Sequence, residues 1–457
     1  MTSKEIIHLY NRTGFGISYL EMKALQSESR VSVVNEVFRN SATFTPLQVD
    51  ISELRSKMKG LNMKDRKKVR SLVKDSTKKV HELNIAWIYR LGATKKLLRE
   101  KMTLFWANHF VCHDKNILHI QQYNNTLRKH ALGNFKDFVI AIAKEASMIK
   151  YLNTKQNRKK KPNENFAREL MELFTLGRDQ YAEKDIKEAA RAFTGWNHDI
   201  RGEFRFRRFQ HDYEEKTFFG ETGTFGGEEI IEIILKKKQC ATFICEKIYK
   251  YFVNDQIDAS HVAEMATMFY KDYDIENLMR FVFLSDWFYD EKNIGTKIKS
   301  PMEFLVGIHR VVPMRFEKER ELVYLQKLLG QHLLFPPNVA GWKGGRNWIN
   351  PNTMMLRLNL PSVLLANGII ALDEKGAFED DFQRFNTRKN RQRKLKVKAD
   401  WETFTTQQKN VTPEQLQNAL LVSPINKGTE EYLEKLKEQN LKESCIQLMS
   451  LPEYQLC

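Results

Sequence analysis

Apolar residues recur at helical spacing in one segment after another of this 457-residue chain. An apolar residue at every third or fourth position is the pattern of an amphipathic helix. Residues 203–225 differ, because phenylalanines partly alternate with arginines there and glycines follow, which favours short strands. We therefore expect a mainly α-helical, multi-helical globular protein with at most a small β-hairpin near 203–225. The predicted helices cover 83–92, 99–111, 136–144, 164–176, 183–193, 228–252, 261–270, 275–285, 301–312, 319–329 and 353–368.

Composition shifts along the chain predict three parts. Residues 1–370 are expected to form a main helical domain. Within it, residues 51–80 are rich in Lys and Arg with a thin apolar stripe, which indicates an exposed basic helical arm. Residues 371–410 are charged, acidic first and then basic, as in a linker or insertion. Residues 411–457 are predicted to form a C-terminal helical segment that packs back on the main domain.

The net charge of +17 raises the possibility of an anionic partner. Basic proteins bind nucleic acid or anionic surfaces through clustered Lys and Arg. Here the basic runs are dispersed, and none carries a helix-turn-helix, zinc-finger or ribonucleoprotein pattern. Nucleic-acid binding is therefore an alternative that rests on charge alone.

The expected location of the chain is the cytoplasm. No apolar run approaches the roughly 18 residues of a membrane span, and the first residues lack the apolar core of a signal peptide. The five cysteines are odd in number and show no zinc or redox spacing, which fits a reducing compartment.

The most distinctive run of the sequence is the segment from Asn163 to Gly177. Asn163 can cap a helix and Gly177 can close it. On a helix, the apolar side chains of this run share one arc. The polar side chains share the opposite arc. This polar face is either a solvated surface with ion pairs or an acid/base cluster in which like charges raise one carboxylate's pKa. The polar arc comprises Asn165, Arg168, Glu169, Glu172 and Thr175, with Glu164 at the start of the helix.

Two histidine motifs are candidates for proton transfer or metal binding. His109 and His113 have the i,i+4 spacing of a chelating pair, but the general-base Glu of the HExxH pattern is absent. His211 and Asp212 lie in a loop close to Lys216, where a His–Asp pair could transfer a proton. Each motif could also be purely structural, because surface His–Asp pairs are common and a histidine need not bind a metal. The sequence identifies no metal or cofactor.

A rigid aromatic loop is predicted between residues 335 and 348. It contains two prolines, three glycines, Trp342 and Trp348. These two tryptophans could bind a flat ligand face, or they could pin the loop over the core. Further candidate ligand-binding residues are Trp196, Asn165, Arg168 and Lys216.

These segments together resemble one large bacterial family, the domain of unknown function 1800. The resemblance spans nearly the whole chain, and the Asn163–Gly177 run is its most specific motif. One departure is Ala107, where members often have His, which weakens a metal site built on paired histidines. The matching segments are 8–16, 106–110, 133–135, 163–177, 190–196 with Trp196, 211–220, 336–348 and 451–456.

The resemblance implies a helical fold and a partner, but no catalytic residues. Such proteins are often encoded beside a protein that resembles phosphatases and sulfatases. The main hypothesis is therefore an accessory or binding protein that acts with this partner. The alternative is a hydrolytic enzyme that uses Glu164, Glu169 or Glu172 with His109 or His211. A signal-bearing partner could also co-export the folded chain to the periplasm.

Overall fold

The computed structural model describes residues 1–59, 65–366, 395–434 and 440–457. These residues form 22 α-helices, which confirms the mainly α-helical fold. The first eleven are α1 (Ser3–Thr13), α2 (Tyr19–Leu25), α3 (Arg30–Ser41), α4 (Ser52–Met58), α5 (Arg66–Ala93), α6 (Leu97–His109), α7 (Ile117–His130), α8 (Phe135–Ala143), α9 (Ala146–Tyr151), α10 (Asn165–Glu169) and α11 (Glu183–Ala192). The others are α12 (Gly227–Leu235), α13 (Lys238–Phe252), α14 (Ala259–Phe269), α15 (Ile275–Leu284), α16 (Pro301–Val311), α17 (Glu319–Leu329), α18 (Pro351–Leu365), α19 (Trp401–Gln407), α20 (Pro413–Leu420), α21 (Lys427–Glu434) and α22 (Leu441–Met449).

Local sequence explains where several helices begin. Thr2 and Glu5 form a reciprocal capping box at the start of α1, in which each side chain bonds the other residue's backbone N–H. Ser300 and Glu303 do the same at the start of α16, where Pro301 occupies the first helical position. A proline is favoured there because that position has no N–H partner to lose.

The strands are short and form three antiparallel two-stranded sheets. Three strands lie within the predicted 203–225 segment, namely β2 (Phe204–Phe206), β3 (Lys216–Phe218) and β4 (Glu221–Gly223), and β1 (Trp196–His198) lies just before it. β1 pairs with β2, and β3 pairs with β4. The third sheet pairs β5 (Met314–Phe316) with β6 (Val397–Ala399). This sheet lies outside the predicted 203–225 segment. The sequence does not predict it, because its strands are too short to show alternation and are far apart in the chain.

α7 packs on α5, α6 and α8, and residues of these four helices contribute to the main hydrophobic core. Trp106 on α6 is fully buried, and its ring centroid lies 5.7 Å from that of Phe110 and 5.3 Å from that of Phe138. Aromatic pairs at such separations add to the free energy of burial. No helix among the described residues is both long and apolar enough to span a membrane.

The basic segment 51–80 forms α4 and the first half of α5. From Arg66 to Asp75, α5 contributes no buried residue to the core, and its buried positions begin at Ser76. Leu54 on α4 is buried where the two helices pack. We call residues 51–59 and 65–80 the basic arm.

The C-terminal part of the chain lies against the N-terminal and central helices. α20 packs on α1 and α2, and α22 packs on α18 and α20. The backbone of Gln455 accepts a hydrogen bond from the Lys299 N–H at 2.8 Å. Most of the predicted charged linker, 371–410, falls in residues 367–394, outside the described residues, while 395–410 hold β6 and α19.

Candidate functional site

The Asn163–Gly177 motif starts as α10 and continues as a π-helix over Leu170–Thr175. The Thr175 hydroxyl donates to the Leu170 carbonyl at 2.6 Å, and Gly177 ends the turn with φ +88°. The wider turn rotates Thr175 inward. The sequence places this residue on the polar arc, which is wrong, because Thr175 is fully buried. Single π-turns inside helices occur frequently at functional sites.

The carbonyl groups released by the π-turn accept bonds from side chains of other helices. His109 Nε2 lies 3.0 Å from the Phe174 oxygen, and Lys247 Nζ donates to the Leu173 oxygen at 2.8 Å. Because Nε2 must carry the proton that the carbonyl accepts, His109 Nδ1 accepts from Lys247 Nζ at 3.2 Å. His109 thus lies at the buried end of the motif.

Burial lowers the pKa of both of these nitrogen bases. Burial and the neighbouring Lys247 hold the pKa of His109 well below its usual value. Burial, together with Lys250, lowers the pKa of Lys247 to about 7. A lysine poised near neutrality can act as a base, yet both side chains here are fully engaged with the end of the π-helix.

His113 does not join His109 in a chelating pair. α6 ends at His109, so the two residues are not on one helix face, and His113 Nδ1 lies 3.1 Å from the Leu334 oxygen. Among the residues that the structure describes, no group of three or more His, Cys, Asp or Glu is placed to hold a metal ion.

The polar face of the motif is largely neutralised by ion pairs. Glu164 lies 3.3 Å from Arg168, which also forms a two-pronged pair with Glu183 at 2.9 and 3.1 Å. Glu172 accepts from Arg178 at 2.8 Å and from the Tyr181 hydroxyl at 3.1 Å. This is the arrangement of a solvated, salt-bridged helix face.

Glu169 differs from the other two carboxylates of this face. Within the described part of the chain it has no hydrogen bond or ion pair, and it is partly buried. Burial and the charge of Glu172 raise the pKa of Glu169. Asn165 is engaged elsewhere, since its amide donates to the Leu152 oxygen at 3.2 Å. Of the predicted catalytic carboxylates, Glu169 has the environment best suited to proton transfer.

The His211–Asp212 motif closes a loop against α11. Asp212 pairs with Arg191 at 2.7 Å, while His211 Nδ1 faces the Thr194 oxygen at 2.9 Å. The Lys216 ammonium is buried and donates to the Asp212 and Glu214 carbonyls at 2.7 and 2.8 Å. His211 and Asp212 therefore face different partners, and neither contacts the polar face of the Asn163–Gly177 motif through a hydrogen bond in the described residues.

The three tryptophans proposed as ligand platforms are buried. Trp196, Trp342 and Trp348 are 4%, 9% and 8% exposed, so their ring faces are covered. The backbone N–H of Trp342 donates to Asn108 Oδ1 at 2.7 Å, and Asn108 Nδ2 donates to the backbone oxygen of Trp342 at 3.1 Å. This double hydrogen bond pins the 335–348 loop to the end of α6.

We expect Gly341→Ala to lower the free energy of unfolding by about 2 kcal/mol. Gly341 has φ +76°, and a Cβ there would lie 2.3 Å from Asn108 Oδ1, so the paired hydrogen bonds must break. Gly344→Ala is the matched control, because Gly344 has an ordinary φ and open space around the new methyl group. Denaturant unfolding of both variants measures the difference, and equal stability of the two would contradict this anchoring role.

The structure also assembles a cluster that the sequence does not reveal. Asp114, whose side chain is fully buried, accepts from Lys150 at 2.6 Å and from His119 Nδ1 at 3.1 Å. His198 on β1 places its ring 5.0 Å from the His119 ring. An Asp–His pair is a familiar orienting device for a general base, but here Asn116 donates to His119 Nε2 at 3.1 Å. The spacing of Asp114 and His119 carries no motif, and the other members come from distant segments.

Comparison with known proteins agrees with the architecture. The family described as "Protein of unknown function (DUF1800)" matches residues 8–456, nearly the whole chain. No curated protein and no solved structure matches. The match includes the capped π-helical motif, the Asn108-anchored loop and the closing C-terminal turn. This chain therefore belongs to the DUF1800 family.

Proposed function

We propose that this protein is an accessory or binding protein that holds an acidic protein surface through the basic arm. The observation that carries the proposal is unpaired positive charge. Lys57, Lys68 and Lys78 have acidic partners within the arm. Six further exposed cations form no ion pair among the described residues, namely Arg55, Lys59, Arg66, Lys67, Arg70 and Lys74.

Contacts with the core stabilise the helical structure of the basic arm only weakly. None of the first ten residues of α5 is fully buried: Leu72 packs against the core but is only partly buried, and Val73 is 48% exposed. Isolated helical segments of this length are marginal in water without a packed face. A partner that covers the arm would supply the missing contacts and would be attracted by its charge.

A cleft at the base of the arm fits the same role. It has a volume of about 780 Å³ and is lined by residues 48–52, 55, 56 and 59 with Gln121. Arg55 and Lys59 line it together with one acidic residue, Asp50, so an acidic side chain of a partner could enter beside two cations. The resemblance to the DUF1800 family implies a phosphatase- or sulfatase-like protein as this partner, and we adopt that class for the test.

Apart from Glu169, the predicted catalytic side chains are engaged in contacts that favour binding over hydrolysis. Glu164 and Glu172 are in ion pairs, and His109 is hydrogen-bonded to the backbone carbonyl of Phe174. Asp212 is held by Arg191. Such groups are held in place rather than free to exchange protons with a substrate.

Charge reversal of the arm tests the proposal. We expect the combined variant R66E/K67E/R70E/K74E to bind the phosphatase- or sulfatase-like protein about 10- to 100-fold more weakly, and binding by the natural chain to weaken as salt is raised. Isothermal titration calorimetry with the two purified proteins measures both effects.

The matched control changes net charge equally at four other exposed lysines, in the variant K187E/K271E/K318E/K409E. It should bind like the natural chain. Equal weakening by both variants would show that overall charge, not the arm, is responsible. Tighter binding of single-stranded RNA or DNA than of the protein partner would replace this proposal with the nucleic-acid alternative.

A further inference from the structure

Buried positive charge collects where the C-terminal turn meets α16 and α18. Lys299, Arg357 and Gln455 are 6%, 0% and 2% exposed. Lys101 and Arg12 are each 1% exposed nearby, and the charges of Lys101 and Arg357 act on Lys299. Buried charges are normally paired, because transfer of an unpaired ion from water is costly.

Glu303, whose negative charge acts on Lys299 and Arg357, is already paired with another cation. Glu303 pairs with Lys101 and accepts from the Ser300 backbone N–H at 2.6 Å. Burial raises the pKa of Glu303, but Lys101 and this backbone bond lower it more, to about 2. The Glu303 carboxylate makes no hydrogen bond to Lys299 or Arg357 within the described residues.

Two buried donors of the cluster, Arg357 Nη1 and Gln455 Nε2, remain without acceptors. Arg357 uses Nε on the Gln455 Oε1 oxygen at 2.8 Å and Nη2 on the Lys299 carbonyl at 2.7 Å, which leaves Nη1 without a partner. Gln455 Nε2 is likewise buried and unpartnered. The Lys299 ammonium lies over the Tyr454 ring, 3.7 Å from its centroid, and has no acceptor in the described part of the chain.

These donors belong to residues that contact one another. Two hydrogen bonds link Arg357 to Gln455 and to Lys299, and the Lys299 N–H donates to the Gln455 carbonyl. A guanidinium N–H and an amide N–H₂ that lack acceptors, with an ammonium on a residue that contacts both, have the chemistry to bind an oxyanion. Buried unsatisfied donors are rare in native proteins and call for a physical explanation.

We propose that Arg357, Lys299 and Gln455 form a binding site for one small tetrahedral oxyanion, of the class of phosphate or sulfate. The anion accepts from Arg357 Nη1, Gln455 Nε2 and Lys299 Nζ, and it balances the positive charge of this junction. It thereby ties the C-terminal turn to α18 and to the segment before α16. Burial lowers the pKa of Lys299 to about 8 and the pKa of Arg357 to about 10, although the negative charges of Glu303 and Cys457 raise both.

Anion-dependent stability tests the site with the full chain. The protein is unfolded and refolded in chloride buffer with or without phosphate or sulfate at matched ionic strength, since an enclosed anion exchanges slowly. We expect phosphate and sulfate each to raise the Tm by about 2 °C or more, with saturation, and calorimetry to give one bound anion per chain.

The variant Gln455→Glu provides the sharpest comparison. Its carboxylate supplies an internal acceptor for Arg357 and Lys299, so the variant should be stable in chloride and gain no further stability from phosphate. Arg357→Lys, which keeps the charge but loses the forked donors, should bind the anion at least 10-fold more weakly.

A surface control separates this site from general attraction to a basic protein. Arg70→Met removes an exposed cation of the arm and should keep the full phosphate effect. The proposal is overturned if chloride stabilises as well as phosphate does, or if Gln455→Glu retains the whole phosphate-dependent rise in Tm.

Discussion

Arg128→Met is expected to lower the free energy of unfolding by about 3–5 kcal/mol. The Arg128 and Glu100 side chains are only 1% and 3% exposed, and they pair at 2.7 and 3.2 Å. The Trp87 indole also donates to Glu100 at 3.1 Å. Removal of the guanidinium leaves the buried Glu100 carboxylate with only the more distant Arg90, 3.8 Å away, as a cationic partner, and this is more costly than the loss of the attraction itself.

Denaturant unfolding of single and double variants checks this expectation. Adding Glu100→Gln to Arg128→Met should cost less than the sum of the two single changes, because no lone charge is then buried. Lys136→Met breaks an exposed pair with Glu232, whose side chains are 43% and 51% exposed, and should change stability by less than about 1 kcal/mol. A similar small loss for Arg128→Met would refute its role in the core.

Glu145→Gln is expected to stabilise the protein by about 2–3 kcal/mol at pH 8 and to have little effect at pH 4. Glu145 is 5% exposed, and burial raises its pKa to about 7, although hydrogen bonds from Thr126 and Gln122 lower it. The Thr126 hydroxyl donates to one carboxylate oxygen at 2.5 Å, while the other has no partner.

The sign follows from the raised pKa of the folded state. Below the unfolded pKa of 4.5, the carboxyl is protonated in both states, so burial adds no charge penalty. As the pH rises toward 7, the unfolded chain releases the proton more readily, and stability is lost. Glutamine is neutral at every pH and removes this loss.

Unfolding curves at pH 4, 6 and 8 measure the effect. The exposed Glu264, changed to Gln, serves as the control and should shift stability equally at each pH. If Glu145→Gln also gave the same shift at pH 4 and pH 8, Glu145 would not titrate between those values.

The sequence by itself determined the fold class and the family. Helical spacing of apolar residues is a local property, and each amphipathic stripe reports the period of its own segment. Gly177 was predicted to close its helix, and its positive φ agrees, because a closing residue in the left-handed region favours glycine. The Asn163–Gly177 run was specific enough to indicate the family that the match over residues 8–456 shows.

Only the tertiary structure decided what the polar residues of that run do. A regular helix was assumed, and the π-turn, which turned Thr175 into the core, depends on His109 and Lys247 from two other helices. Their contacts join residues separated by 65 and 74 positions. No local pattern records such pairs, because the energy that selects them comes from burial in the finished fold.

The difference between local and long-range contacts also explains which other features the sequence predicts and which it does not. The rigid Trp342 loop was visible from its prolines and glycines, yet its anchor Asn108 lies 234 residues away. The Arg357, Lys299 and Gln455 junction joins three segments that each look ordinary in sequence. Secondary structure follows from neighbours in the chain, whereas the charge environment of a side chain follows from neighbours in space, and only folding brings those together.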